Sequence, residues 1–201
     1  MIIKNVYQET NFFTKDECNK ILNFSNIYKA EKTIRQLEPN INFETNRIEQ
    51  IVETDLNGKV RGKLFYVWDI WNDSNSKWMY DKLVNWFTET TKIKLTDTIR
   101  KNCSLHKYVK GDLFMRHIDL NEKFSERRWN VGIQLSEDYI GGDYILYENN
   151  KKFIFSKNVG TIVAYKADIE HEITEIKEGE RWSIVYSIPK QMISKNNSNF
   201  I

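Results

Sequence analysis

Cysteine is nearly absent from this chain. Among its 201 residues only Cys18 and Cys103 carry a thiol, and they form neither a Cys-x-x-Cys unit nor a framework of spaced pairs. That excludes a disulfide-stapled scaffold and a thiolate-rich structural zinc site, and it fits a reducing compartment. Long apolar runs are missing as well. The stretch Met1–Glu9 holds no extended hydrophobic segment of the signal-peptide kind, and no segment is apolar over the ~20 residues that a membrane-spanning helix needs. A cytoplasmic protein with no membrane partner is expected. An excess of one charge is also lacking: 30 Lys and Arg stand against 28 Asp and Glu, a net of +2. Such a balance sets up no field for a polyanion, so nucleic acid is not the expected partner. The basic pairs Arg127-Arg128 and Lys151-Lys152 are short, and Lys151-Lys152 reads as solvated loop charge. Histidine occurs only three times.

Aromatic residues, in contrast, are plentiful, with six Trp, ten Tyr and eleven Phe. Large rings fill sheet-rich cores and also line substrate pockets. A chain of this length supports one self-sufficient core. The expected layout is a single domain over residues 1–190. Helical and hairpin support would occupy 1–102, a catalytic core 103–190, and a flexible tail 191–201. Thr14-Lys15-Asp16-Glu17 is a capping box, and Cys18, Ile21, Leu22 and Ser25 follow on one helical face. A second helix is expected from Asp73 or Ser74, with Met79, Leu83, Trp86 and Phe87 as its apolar stripe. Between the helices, 47–53 and 59–69 read as strands joined by Asp55-Leu56-Asn57-Gly58, and Asn-Gly is a strong hairpin signal. This region, 41–68, is a candidate lid.

From residue 103 the pattern changes to short strands at 103–109, 113–118, 129–135, 143–148, 151–156, 160–166, 171–176 and 181–188. Glu148-Asn149-Asn150-Lys151 reads as a hairpin turn and Gly141-Gly142 as a break. Many short strands at this spacing predict a jelly roll or related barrel. Helices confined to the N-terminal half make the class α+β, with the helices packed on one side of the sheets.

The scarce histidines form a pattern: His117-Ile118-Asp119, then His171, then Arg181 ten positions later. On a strand, the spacing of His117 and Asp119 puts both side chains on one face, and His171 arrives from a distant strand. Two imidazoles and one carboxylate hold ferrous iron on one side and leave other positions open for a substrate and dioxygen. Catalytic zinc is the rival metal. Arg181 favours iron, because a guanidinium beside the metal is shaped to grip a carboxylate co-substrate with two parallel hydrogen bonds. His106 lacks such partners and reads as structural.

Residues 103–188 resemble the iron- and 2-oxoglutarate-dependent dioxygenases, in particular the prolyl 4-hydroxylase-like (PKHD-type) branch with its small phage, viral and bacterial members. The matching text is Tyr108-Val-Lys-Gly111-Asp112 with His117-Ile-Asp119, the segment Arg127–Ser136, Tyr139-Ile-Gly-Gly-Asp143, Gly160-Thr-Ile-Val, and His171 with Gly179-Glu-Arg181-Trp-Ser183. Phe12-Phe13-Thr14 through Leu22 is similar to the family's N-terminal helix. The resemblance implies a double-stranded β-helix, a jelly-roll or cupin-like core with supporting N-terminal helices. It implies Fe(II) on His117, Asp119 and His171, and dioxygen and 2-oxoglutarate as co-substrates, with ascorbate as a candidate reductant. Arg181 would pair with the distal carboxylate of 2-oxoglutarate, and Tyr108 and Ser183 would hydrogen-bond to it. The implied reaction hydroxylates an unactivated C–H bond and decarboxylates 2-oxoglutarate to succinate and carbon dioxide.

The substrate side departs from that pattern. Many prolyl hydroxylases carry Trp six residues after the cationic residue, where this chain has Ser187, and Tyr three residues before the first His, where it has Phe114. Arg127 matches an Arg that contacts substrate in some relatives, and an exposed salt bridge is its alternative. The first expectation is a peptide or protein substrate with proline as the target. A free amino acid or another small molecule is the alternative, and oxidative demethylation of nucleic acid ranks lower because only one well-placed Arg follows His171.

Overall fold

Side chains of a strand alternate between its two faces, and in the larger sheet of this protein the two faces meet different partners. The computed structural model describes residues 5–27, 53–54, 60–63, 66–69, 76–96, 103–120 and 126–194. In chain order the strands are β1 (Val6–Glu9), β2 (Glu53–Thr54), β3 (Val60–Lys63), β4 (Tyr66–Asp69), β5 (Cys103–Tyr108), β6 (Leu113–His117), β7 (Arg127–Gln134), β8 (Tyr139–Gly141), β9 (Tyr144–Glu148), β10 (Lys151–Ile154), β11 (Ile162–Lys166), β12 (Glu170–Ile173), β13 (Ile176–Gly179) and β14 (Arg181–Pro189). The helices are α1 (Lys15–Ile27) and α2 (Lys77–Thr91). One six-stranded sheet runs β1-β11-β7-β14-β5-β4, a second runs β10-β9-β12-β6-β3-β2, and β8 and β13 form a two-stranded ribbon. All of these pairings are antiparallel. Sheet neighbours far apart in sequence are the mark of a strand pair wound up into a double-stranded β-helix, as expected.

Trp129, Val131 and Ile133 of β7, Ile162 and Ala164 of β11, and Ile184, Tyr186 and Ile188 of β14 face one way. They share a core with Cys18 and Ile21 of α1 and Met79, Leu83, Trp86 and Phe87 of α2. Both helices therefore cover the outer face of the larger sheet. The intervening residues point inward: Val163 and Tyr165 pack there with Tyr144 and Leu146 of β9 and Ile173 of β12. That inner space, between the sheets, is where side chains of distant strands converge.

Local signals account for the element ends. The capping box closes as expected: the Glu17 N–H donates to Thr14 Oγ1 at 3.2 Å and the Thr14 N–H to Glu17 Oε2 at 2.8 Å. α2 ends where Lys92 turns left-handed and its N–H donates to Thr88 O at 2.9 Å. Asn149 and Asn150 both take positive φ, 50° and 61°, between the paired Glu148 and Lys151. That is the two-residue turn whose twist suits a hairpin. β2 and β3 pair as a hairpin should, while its turn, 55–59, and the expected strand start, 47–52, lie outside the described residues. Of the candidate lid, the described parts are strands: β3 pairs with β6 and β4 with β5, which widens both sheets.

Several expectations need correction. α2 starts at Lys77; Asp73 and Ser74 lie outside the described residues. The single strand expected over 171–176 is split between two sheets, β12 and β13. The backbone between them is tied sideways: the Thr174 N–H donates to Asp143 O at 3.0 Å and the Gly142 N–H to Glu175 O at 3.1 Å. β1 has no counterpart among the expected strands, since four residues are too few to display a period. The expected tail does not fray at 191: Met192 and Ile193 are buried, and Ile193 bridges to Leu95. Residues 195–201 lie outside the described residues. Among the described residues no helix is long and apolar enough to cross a membrane.

Candidate functional site

His117 closes β6 and His171 lies on β12, and the ladder places the two directly opposite each other. Their rings stand 4.2 Å apart, centre to centre. Asp119 follows β6, in a segment anchored by the Leu120 N–H donating to Ala167 O at 3.0 Å. Each imidazole is oriented from behind. His117 Nδ1 lies 2.7 Å from Met115 O and His171 Nδ1 lies 3.0 Å from Ile169 O. A carbonyl accepts only, so Nδ1 carries the proton and Nε2 presents a lone pair. Both Nε2 atoms face Asp119, at 3.5 Å from Oδ1 for His117 and 3.6 Å from Oδ2 for His171. One donor atom from each of the three residues lies within 4.8 Å of the others. Donors ~2.1 Å from a shared ion, at right angles to one another, stand ~3 Å apart, so small adjustments seat a divalent cation. Two imidazole nitrogens and a carboxylate crowded together are the set that such a cation satisfies.

The charge states agree. Burial pushes the His171 imidazole down from 6.5 to about 4, against the pull of Asp119, so it is neutral at ordinary pH. Burial alone would raise the Asp119 carboxyl. The His117 contact, His171 and the Arg127 guanidinium outweigh it, and the carboxyl stays ionised far below the usual range. Of these, Arg127 carries the permanent charge, with Nη1 2.7 Å from Asp119 Oδ2. Arg127 thus pairs with the carboxylate at low exposure, 12% for its side chain.

Arg181 opens β14 opposite Tyr108 of β5. It is only 2% exposed. Its Nη1 donates to Ser183 Oγ at 2.9 Å, and its guanidinium carbon sits 5.6 Å from the centre of the Tyr108 ring and 5.7 Å from that of Tyr144. Its Nε is buried without a partner, and no carboxylate among the described residues pairs with it. A buried charge left unpaired costs several kcal/mol, so this guanidinium fits an anion brought from outside. The Tyr139-Ile-Gly-Gly turn closes in on it. Gly142 has φ +61°, and a Cβ there would stand 2.3 Å from Ile176 Cδ1 and 3.2 Å from Arg181 Cδ.

The other expected residues fall around these two centres. The Phe114 ring lies 4.2 Å from that of His117. Ser187 is buried on β14 opposite Asn130. His106 pairs with Ser104 Oγ at 2.7 Å on the sheet's inner side. Sequence reasoning passed over four inward-facing residues. Tyr165 and Tyr144 flank His171, with ring centres 5.2 and 6.0 Å from it, and their hydroxyls bond to each other. Burial raises both phenols, which keeps them protonated. Gln134 donates to Tyr139 Oη at 2.9 Å. Asn130 is 2% exposed. The signal was available: alternation against Trp129, Val131 and Ile133 puts Asn130 and Gln134 on the opposite face.

Comparison with known proteins gives concordant results. The profile of the 2OG-Fe(II) oxygenase superfamily matches residues 103–188. A PKHD-type hydroxylase of Prochlorococcus marinus (strain MIT 9312) is 32% identical over 100 residues, 43% of this chain and 45% of that protein. The chain thus spans about half the length of that curated relative. The fold is similar to a Pseudomonas putida prolyl-4-hydroxylase, at TM-score 0.61 and 16% identity, covering 92% of this chain and 92% of that one. It is likewise similar to a Trichoplax adhaerens prolyl hydroxylase solved with a peptide fragment of the hypoxia inducible factor oxygen degradation domain, at TM-score 0.66 and 14% identity, covering 93% of this chain and 84% of that one. At such identities the structural likeness speaks for the fold. The profile match over residues 103–188, the partial likeness to a PKHD-type hydroxylase and the His-Asp-His cluster agree in likening this part of the chain to the 2OG-Fe(II) oxygenases.

Proposed function

We infer that the protein is an Fe(II)- and 2-oxoglutarate-dependent hydroxylase whose target is a peptidyl residue, with proline as the first choice. One juxtaposition carries the reading: a closed cluster of His117, Asp119 and His171 in the same inner space as the buried guanidinium of Arg181. His117, Asp119 and His171 would hold the iron. Bound iron supplies the redox chemistry by which dioxygen converts 2-oxoglutarate to succinate and carbon dioxide and one oxygen atom is inserted into a substrate C–H bond.

The chain's own residues prepare that reaction. Arg181 offers Nε and a neighbouring Nη to the distal carboxylate of 2-oxoglutarate, two parallel donors that a lysine lacks. Ser183 accepts from Nη1 at 2.9 Å, which fixes the plane of the fork and leaves its own hydroxyl proton free to donate. Tyr108, protonated because burial raises its phenol, would donate to the same carboxylate. Met115 and Ile169 carbonyls hold both imidazoles in the tautomer that presents Nε2. Tyr144 and Tyr165 wall off the flank of His171 and exclude water from it. The relatives named as prolyl hydroxylases, one of them bound to a peptide fragment, support a peptide substrate.

The test is direct. The protein is supplied with Fe(II), 2-oxoglutarate and ascorbate, and succinate is measured with and without a panel of proline-containing peptides. A gain of ~16 Da on a peptide, one oxygen atom, is expected with stoichiometric succinate. Succinate coupled only to a small metabolite would move the target to a free molecule. No binding of Fe(II) or 2-oxoglutarate at all would overturn the reading.

A further inference from the structure

Three polar atoms on the inner face of the larger sheet are buried with no hydrogen-bond partner among the described residues: Asn130 Oδ1, Asn130 Nδ2 and Ser187 Oγ. Asn130 is 2% exposed and Ser187 5%. They are neighbours, directly opposite on β7 and β14. Both face inward. On β7 the flanking Trp129 and Val131, and on β14 the flanking Tyr186 and Ile188, belong to the helix-side core. Tyr165 is the partner of Asn130 on its other side, and its ring stands 5.2 Å from that of His171. Tyr165, Asn130 and Ser187 thus form one inward rung beside the candidate metal centre.

That rung lies at the far end from Arg181. Along β14 the inward residues run Arg181, Ser183, Val185, Ser187, facing Gln134, Gly132 and Asn130 of β7 from Ser183 onward. Ser183 to Ser187 spans ~13 Å of strand. If the Arg181 end holds the co-substrate, the Asn130 end is left for the molecule that is oxidised. Buried polar groups are bonded in the great majority of cases, and each orphan costs free energy that an apolar residue would avoid. An entire carboxamide and a hydroxyl orphaned side by side therefore indicate a missing ligand group.

The chemistry of that group follows from the pair. A carboxamide offers one acceptor and one donor in a plane, the complement of another amide's N–H and C=O, and the hydroxyl can serve either. Neither carries charge. Nearby, Arg127 is committed to Asp119 and Arg128 Nη1 donates to Arg127 O at 3.0 Å. A zwitterionic amino acid would bring an ammonium and a carboxylate into a neutral rung, at a high cost in desolvation. We propose that Asn130 and Ser187 form a specificity subsite that takes a neutral amide group of the prime substrate, so that the target residue enters flanked by amide bonds. This rests on the hydroxylase reading above and names what its substrate end recognises.

The experiment separates the two. Under nitrogen, with Fe(II) and 2-oxoglutarate bound, N-acetylated and C-amidated residues, N-acetyl-L-prolinamide first, are titrated calorimetrically against the same residues as free amino acids. The blocked forms should bind tighter. Asn130→Leu and Ser187→Ala should each weaken the best blocked form by about tenfold, the loss of one buried hydrogen bond partner. In the ligand-free protein, Asn130→Leu should keep or raise the melting temperature, because it replaces an unmet carboxamide by a side chain of similar size. Tighter binding of free amino acids, no binding of any blocked residue, an unchanged affinity in both variants, or a drop of several degrees in Asn130→Leu would overturn the subsite. Loss of 2-oxoglutarate binding with the amide preference intact would retire the hydroxylase reading alone. Loss of that preference with 2-oxoglutarate binding intact would retire the subsite alone.

Discussion

The two faces of the larger sheet are made by the same strands and obey opposite rules. On the helix side, β7, β11 and β14 present Trp129, Val131, Ile133, Ile162, Ala164, Ile184, Tyr186 and Ile188, closed over by α1 and α2. On the inner side the same strands present Asn130, Gln134, Tyr165, Arg181, Ser183 and Ser187, all buried. One face gains its free energy from apolar area removed from water. The other holds a cation without a counter-charge and a carboxamide without a partner among the described residues, and so gives stability up. The period of two in a strand lets a single sequence carry both. The helix-side face holds the sheet rigid, and that rigidity keeps His171, Arg181 and their neighbours in place although they repel or lack partners in the bare protein.

The comparison breaks most visibly at the candidate metal ligands. His171→Ala should lower Fe(II) affinity by more than about a hundredfold, since altering even the groups behind a ligand costs ten- to a hundredfold. Succinate formation should vanish, while the far-ultraviolet circular dichroism spectrum stays that of the parent. Loss of the fold together with the metal would show that the inner face is structural after all.

Arg181 gives the next largest effect, in two directions at once. Arg181→Met should cut 2-oxoglutarate affinity by at least about 30-fold, the lower range for removing a partner of a buried charge pair. It should leave the ligand-free melting temperature equal or higher, because a buried unpaired charge is gone. Arg181→Lys should fall between, since a point charge cannot make the two-pronged contact. A destabilised Met variant would mean that the guanidinium already has its anion within the chain. On the opposite face, Ile184→Ala should lower stability by about 2–5 kcal/mol in a denaturant melt and leave the KM for 2-oxoglutarate alone.

How much of this was legible beforehand follows the same division. Helix-side residues announce themselves by periodicity: Met79, Leu83, Trp86 and Phe87 read correctly as a buried stripe, and the capping box at Thr14 formed as written. The candidate metal cluster was legible because His117-x-Asp119, His171 and Arg181 are unusual residue types in a fixed order. Asn130 was not, because a single asparagine within Trp-Asn-Val-Gly looks like any interruption of a strand until its register opposite Ser187 is known. Tyr144 and Tyr165 were hidden by abundance, among ten tyrosines. The break after Ile173 was hidden for another reason. It is set by bonds from Thr174 and Glu175 to the Gly142-Asp143 loop, and such long-range partners leave no local trace.

The inner face should also be the acid-sensitive one. The folded protein holds His171 near about 4, against 6.5 for an unhindered imidazole, so between those values the unfolded chain binds a proton that the native state refuses. Stability of the metal-free protein therefore declines as pH falls from about 6.5 towards 4, by an amount on the order of a few kcal/mol, and is flat in this respect above 6.5. Asp119, held down by its neighbours, adds a loss in the same direction at lower pH. Denaturant melts at pH 7.0 and at about 5, made with the chelated protein, should show the drop. His171→Gln, which keeps size and polarity but does not titrate, should reduce it. An unchanged slope would move the titration elsewhere.

The smallest effect belongs to the helices, which touch only the outer face. Thr14→Ala removes the hydroxyl that accepts the Glu17 N–H at 3.2 Å, and it leaves the reverse bond from the Thr14 N–H to Glu17 in place. About 1 kcal/mol of stability should be lost, the ordinary cost of an N-cap. Because α1 meets the sheet through Cys18 and Ile21, on the side away from the candidate metal centre, the loss should appear as a uniform fall in melting temperature with no change in affinity for Fe(II) or 2-oxoglutarate. A change in either affinity would mean that the helix layer does more than hold the sheet still, and that the division of labour between the two faces is incomplete.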